Sequence, residues 1–276
     1  MKRILTAAIA LPILLYAVWS ASPYFFVGLA AAAILLALSE FHSLAVKVGC
    51  KPQIVPAYAG ALMVVSSFVF EEPALSLAAL VGLCIWSLGS AVFQPEDLKK
   101  SLVSVSATVF GVIYVALLAS CLVGVRMISD IAPSKPIPHL ASKLLTTFFA
   151  IVIMTDTGAF YTGRTLGRHK LAPRISPGKT IEGAIGGFVM AVAAGLVCKL
   201  AFFPEIPAFH AAALGAILGA LGQIGDLAES LLKRGSNVKD SGTLLPGHGG
   251  MLDRIDSMLF CAPVLYCYSR FFIASL

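Results

Sequence analysis

Ala30-Ala31-Ala32-Ala33-Ile34-Leu35-Leu36 decides the fold class. Seven apolar residues in a row lack the apolar/polar alternation of an outer-membrane barrel strand. The run lies in a longer apolar stretch over 23–40, close to the roughly 20 residues a helix needs to cross the hydrocarbon core. Eight similar stretches cover roughly 4–20, 55–70, 73–94, 102–125, 144–163, 183–203, 208–232 and 257–276. The fold class this predicts is an all-α integral membrane protein, a polytopic helical bundle of about nine transmembrane helices.

Composition agrees. Of 276 residues, 58% are hydrophobic and 12% charged, with a mean hydropathy of +0.91. Soluble domains carry about 25% charged residues, so this chain has too little polar surface for a water-soluble globule. The same figures exclude disordered, collagen-like and disulfide-scaffold classes.

The net charge of +6 is distributed unevenly. Lys2, Arg3, Lys47, Lys51, Lys99, Lys100, Arg164, Arg168, Lys170, Arg174, Lys179, Lys233, Arg234, Lys239 and Arg254 fall on the side of the N-terminus. Arg126, Lys135, Lys143, Lys199 and Arg270 fall on the other. Fifteen cations against five predict a cytoplasmic N-terminus in the cell (inner or plasma) membrane. Met1 to Ser22 also has the marks of a cleaved secretory signal, but eight following spans favour a retained first helix. The expected division is 1–100 as N-terminal membrane helices and 101–276 as a catalytic region with its site on the cytoplasmic face.

The six cysteines show no metal-binding spacing and read as small packing residues. Gly183 and Gly187, then Gly215, Gly219, Gly222 and Gly225, recur at helical spacing. Such faces let membrane helices approach closely, within the bundle first and in a homodimer second. No internal repeat supports an inverted-repeat transporter.

Segments 156–182 and 226–256 hold 16 of the 34 charged side chains. In the first, Asp156 lies within an apolar span, where a carboxylate needs a partner or a wet cavity. Arg164, Arg168, Lys170, Arg174 and Lys179 follow, with Glu182. That cationic run suits anionic lipid heads or phosphate oxygens. Gly178-Lys179-Thr180 resembles the end of a Walker A loop, but the position of its first glycine is Pro173, so this is not a P-loop.

In the second segment, Asp226, Glu229, Ser230 and Lys233 share a helix face, and Asp253 and Asp256 share another. The Gly/Pro-rich loop between them suits close backbone approach to a ligand. Acids would repel a phosphate substrate unless they hold divalent cations, and Mg²⁺ is commonly bound by one or two carboxylates plus substrate phosphates. A network of helix-end salt bridges is the plainer alternative.

Two motifs bear a resemblance. Ser230-x-Leu232-Lys233-Arg234, then Lys239-Asp240-x-Gly242, then Leu245-Pro246-x-His248-Gly249-Gly250-Met251-x-Asp253-Arg254-Ile255-Asp256 resembles the phosphatidate cytidylyltransferases, also called CDP-diacylglycerol synthases. Ser176-Pro177-x-Lys179-Thr180 with Glu182-Gly183 is similar to a second region of that family. The resemblance implies transfer of a cytidylyl group from CTP to phosphatidate, with Mg²⁺, alone or with a second cation, as cofactor.

On that basis the catalytic set is Asp226, Asp253, Lys233, Arg234, Lys239, His248 and Arg254. Asp226 and Asp253 lead as metal ligands, followed by Asp256, Asp156 and Glu229. Phosphates fall to Lys233, Arg234, Lys239, Arg254, His248 and the Gly249-Gly250 backbone, with His248 also able to hold the turn or to serve as acid/base. Arg164, Ser176 and Lys179 are assigned to the lipid phosphate or the triphosphate. CTP, phosphatidate and the bilayer are the expected partners, and no nucleic acid is. The rivals are another membrane nucleotidyl- or phosphotransferase acting on a lipid phosphate or polyprenol, and an ion-coupled transporter.

Overall fold

The computed structural model describes residues 2–20, 22–93, 98–128, 137–242 and 249–271, with side chains from Leu11 in the first helix and from Lys100 in the fifth. His248 and Lys135 lie outside the described residues. The helices are α1 (Lys2–Trp19), α2 (Tyr24–Lys47), α3 (Ile54–Val69), α4 (Pro73–Phe93), α5 (Leu98–Gly111), α6 (Leu118–Arg126), α7 (Leu140–Leu166), α8 (Ile181–Ala201), α9 (Ala208–Gly235) and α10 (Leu252–Phe271). A π-helical segment, Val112–Leu117, joins α5 to α6 without a break.

Among the described residues, six helices are long and apolar enough to cross a membrane: α2, α4, the continuous Lys100–Arg126 helix, α7, α8 and α9. Ile54–Val69 is a shorter apolar helix. Helix α10 has the length, but Asp253, Arg254, Asp256 and Arg270 lower its apolar character. The chain is therefore a multi-pass, all-α membrane protein.

One element departs from the expected pattern. Strands β1 (Lys170–Ala172) and β2 (Ser176–Thr180) form an antiparallel hairpin between α7 and α8, pairing Lys170 with Thr180 and Ala172 with Ser176. Pro173 and Pro177 disfavour helix here, and the turn closes with Ile175 N–H donated to Ala172 C=O at 3.2 Å.

The chain divides into two compact units, Met1–Met127 with Leu232–Ile255, and Ile128–Leu231 with Asp256–Leu276.

In the first unit, Ile34 and Leu38 of α2, Ala57, Ala61 and Val64 of α3, and Val112 and Val115 of the π segment are almost wholly buried. Backbone in an apolar medium must find partners inside the protein. The link between α2 and α3 does so through side chains. Lys51 N–H is donated to Ser104 Oγ and Gln53 N–H to Thr108 Oγ1, both at 2.9 Å. The Gln53 amide in turn donates to Ser90 Oγ at 2.6 Å.

In the second unit, glycines let the helices nearly touch. A Cβ on Gly183 or Gly187 would sit 2.8 Å from a carbonyl oxygen of α7, that of Ala159 or Thr155. One on Gly215 would sit 2.6 Å from Ala191 C=O of α8, and one on Gly225 2.7 Å from Asp256 C=O. The small-residue faces thus pack within the bundle.

Candidate functional site

Two ion pairs bring together charged residues singled out by sequence, Lys179–Asp226 in the second unit and Lys233–Asp253 in the first. In the second unit the hairpin leads into α8. Thr180, extended at φ −126° and ψ 155°, caps the helix by accepting the Gly183 N–H at 3.1 Å. Glu182 folds back and accepts the N–H groups of Arg168 at 3.0 Å and His169 at 3.2 Å, with the His169 ring Nδ1 at 2.7 Å. The loop before β1 is thereby tied to the first turn of α8.

With the hairpin held this way, Lys179 of β2 reaches Asp226 of α9, Nζ to Oδ2 at 2.7 Å. The side chains are 26% and 34% exposed, but the Lys179 Nζ itself is buried. Asp226 Oδ1 receives a long hydrogen bond from Ser230 Oγ at 3.4 Å. Arg164, Arg168, Lys170 and Arg174 are exposed and Ser176 is half-buried. Asp156 is exposed on α7, Glu229 is fully buried, and Asp256 is buried with Oδ1 accepting the Ser257 N–H at 2.6 Å.

In the first unit, α9 ends in a tight C-terminal turn. Asn237 adopts a left-handed conformation at φ 55°, and Val238 N–H returns to Lys233 C=O at 3.0 Å. Arg234 donates from its guanidinium to Val238 C=O at 3.2 Å. Lys233, in the last turn, pairs with Asp253 in the first turn of α10, Nζ to Oδ1 at 2.6 Å. These side chains are only 12% and 6% exposed.

The second oxygen of Asp253 is equally engaged. Oδ2 accepts Gly250 N–H at 2.8 Å, Ser241 N–H at 3.0 Å and Ser241 Oγ–H at 3.0 Å. Gly250 N–H is therefore already donated within the protein. Lys239 and Arg254 are exposed beside this cluster in sequence.

Glu40 of α2, which the sequence reading passed over, belongs to the same cluster. Its carboxylate accepts Met251 N–H at 2.9 Å and Leu252 N–H at 2.8 Å, and lies 2.9 Å from Ser241 Oγ, whose single proton it shares with Asp253 Oδ2. One signal was visible in the sequence: a lone carboxylate inside the apolar stretch 23–40. Ser241 carried no such signal.

The donor set is suited to Mg²⁺ in a particular way. Among the described residues no three His, Cys, Asp or Glu side chains gather into a ready cage. Mg²⁺ does not require one, since it takes one or two carboxylates and completes its shell with water and phosphate oxygens. Asp226, one-third exposed and paired with Lys179 and, by a long bond, with Ser230, fits that role.

The chain matches the model of the "Cytidylyltransferase family" over residues 1–272. It is 49% identical over 121 residues to a phosphatidate cytidylyltransferase of Bacillus subtilis (strain 168), a stretch covering 43% of this chain and 45% of that protein. A phosphatidate cytidylyltransferase of Brucella suis biovar 1 is 50% identical over 125 residues, 45% of this chain and 46% of its own length. One from Staphylococcus saprophyticus is 48% identical over 117 residues, 42% and 45% respectively. The matched stretch thus spans a little under half the length of each of these relatives. By the match along nearly its whole length, the chain belongs to the cytidylyltransferase family.

Proposed function

We propose that this protein transfers a cytidylyl group from CTP to phosphatidate, forming CDP-diacylglycerol and pyrophosphate. The carrying observation is the near-full-length family match, in a chain whose described residues include the Lys–Asp pairs Lys179–Asp226 and Lys233–Asp253. Curated relatives named for this activity support the choice of substrates.

The chemistry suits those pairs. An oxygen of the lipid phosphate is already anionic, so it attacks the α-phosphorus of CTP without a strong base. The new P–O bond forms as the bond from the α-phosphorus to the bridging oxygen breaks, and pyrophosphate leaves. The obstacle is repulsion between substrates carrying together on the order of six negative charges. Positioning and charge neutralisation therefore supply the catalysis.

In this reading Lys179 and Lys233 exchange their carboxylate partners for phosphate oxygens when substrate arrives. In the second unit Arg164 and Ser176 join Lys179 at the lipid phosphate or the triphosphate, and in the first unit Arg234, Lys239, His248 and Arg254 join Lys233 as phosphate-binding candidates. Asp226 would hold Mg²⁺ in the second unit, with Asp156, Glu229 and Asp256 as further candidates there, and Asp253 is the candidate ligand of the first unit. The ion, when bound, supplies positive charge to the triphosphate. The N-terminus and both pairs face the cytoplasm, and α1, α3 and α10 cross the membrane with the six longer apolar helices, making nine crossings.

The test is steady-state turnover by the purified protein in detergent with Mg²⁺, CTP and phosphatidate. Pyrophosphate and CDP-diacylglycerol should appear in equal amounts. No product over a range of lipid and metal concentrations would overturn the assignment.

A further inference from the structure

The glycines flanking the loop between α9 and α10 are shaped around a carboxylate from the far end of the chain. A Cβ on Gly242 would lie 2.5 Å from Glu40 Oε1, 2.8 Å from its Cδ and 3.1 Å from its Cγ. A Cβ on Gly250 would overlap Glu40 Oε2 and Ser241 Oγ. The loop's two described ends, 241–242 and 249–252, thus close on Glu40, which is 8% exposed.

Its three donors explain the placement. Met251 and Leu252 stand at the start of α10, where backbone N–H groups lack intrahelical partners and the helix dipole favours an anion. The third donor, Ser241 Oγ, lies 2.9 Å from Glu40 Oε2 and 3.0 Å from Asp253 Oδ2. One turn further along α2, Leu44 C=O accepts Ser236 Oγ–H at 3.2 Å, so the same helix face also holds the end of α9. The groups that orient Asp253 Oδ2 are Ser241 and Gly250. One is bonded to Glu40 and the other precedes Met251.

We propose that Glu40 is a positioning residue for the Lys233–Asp253 pair. It acts through Ser241 and the first N–H groups of α10, and it fills the anion seat of that helix with the protein's own carboxylate. Substrate phosphates at this place are consequently left to side-chain cations rather than to the N-terminus of α10. The proposal rests on the function proposed above for its readout in turnover, and on local hydrogen exchange for a readout independent of it.

The experiment compares Glu40→Ala, Glu40→Gln, Gly242→Ala and the double variant Glu40→Ala/Gly242→Ala, each in detergent. Hydrogen exchange at Met251 and Leu252 is measured alongside CTP- and phosphatidate-dependent turnover. Loss of charge-assisted bonds in Glu40→Ala should cut turnover about tenfold or more and speed exchange at both amides. Gly242→Ala, which displaces the same carboxylate, should do likewise. The double variant should be no worse than Glu40→Ala, since the three atoms nearest the added methyl are then gone.

Glu40→Gln keeps the shape and one acceptor oxygen, and should recover about threefold of the lost turnover. Should Glu40→Ala not fold, Gly242→Ala carries the test. Wild-type exchange at Met251 and Leu252 in the variant that folds overturns the proposal, as does wild-type turnover with altered exchange, or a double variant whose losses multiply. An inactive wild-type protein would instead sink the function assigned above, and the exchange data would still decide the role of Glu40.

Discussion

Lys233 Nζ lies 2.6 Å from Asp253 Oδ1, with both side chains almost removed from solvent. Removing one member of a buried pair strands the other charge, which typically costs about 3–5 kcal/mol. Lys233→Met and Asp253→Asn should therefore each lower the melting temperature in detergent and abolish turnover. The double variant Lys233→Met/Asp253→Asn should regain much of the stability and none of the activity. Thermal unfolding read beside turnover separates the two effects, and regained activity would remove the pair from the chemistry.

Lys179 and Asp226 make the contrasting case, because their side chains are 26% and 34% exposed against 12% and 6%. Exposed pairs contribute roughly 0–1 kcal/mol to stability. Asp226→Asn should leave the melting temperature nearly unchanged while lowering turnover on the order of 10²-fold, the usual scale for a lost electrostatic contact at a reacting centre. Near-normal rates would exclude Asp226 from the metal and phosphate site.

The helices were legible in sequence because apolar runs of membrane length end at Pro, Gly and charge, and α2, α4, α7, α8 and α9 lie where those runs lie. The hairpin was not. Strands of three and five residues with mixed polar character carry no clear period. Lys179, Asp226, Lys233 and Asp253 were legible as charges in an apolar chain, yet their pairing was not, because β2 meets α9 and α9 meets α10 only in three dimensions. Glu40 was hidden for the same reason, its partners lying 201, 211 and 212 positions away.

Close helix packing gives a further prediction. Gly215→Val would drive a side chain into Ala191 C=O of α8 and should destabilise by about 1–3 kcal/mol, typical of overpacking. Gly28→Ala, whose new methyl would meet no atom within 4 Å beyond its chain neighbours and the backbone of its own helix, should be neutral or stabilising by up to about 1 kcal/mol. Melting temperatures of the two variants in one detergent provide the comparison.

Glu205 lies between α8 and α9 and bonds Lys143 Nζ at 2.6 Å. Partial burial pushes its pKa up, but the hydrogen bond from Lys143, a backbone bond and the Lys143 charge outweigh this and hold it below the ordinary value. A carboxylate depressed on folding adds stability above its unfolded pKa and loses it as pH falls through the folded one. Acidification through the carboxylate range should therefore lower the melting temperature of the wild-type protein more steeply than that of Glu205→Gln. Parallel curves would show that the pair adds nothing.

The fate of the α-phosphate tests the assigned reaction most directly. The purified protein is given Mg²⁺, phosphatidate and CTP labelled either at the α- or at the γ-phosphate, and the lipid is then extracted. Label from the α-position should appear in the lipid as CDP-diacylglycerol, in amounts equal to the pyrophosphate released, while γ-label stays in the aqueous phase. γ-Label in the lipid, or no label there from either CTP, would contradict cytidylyl transfer.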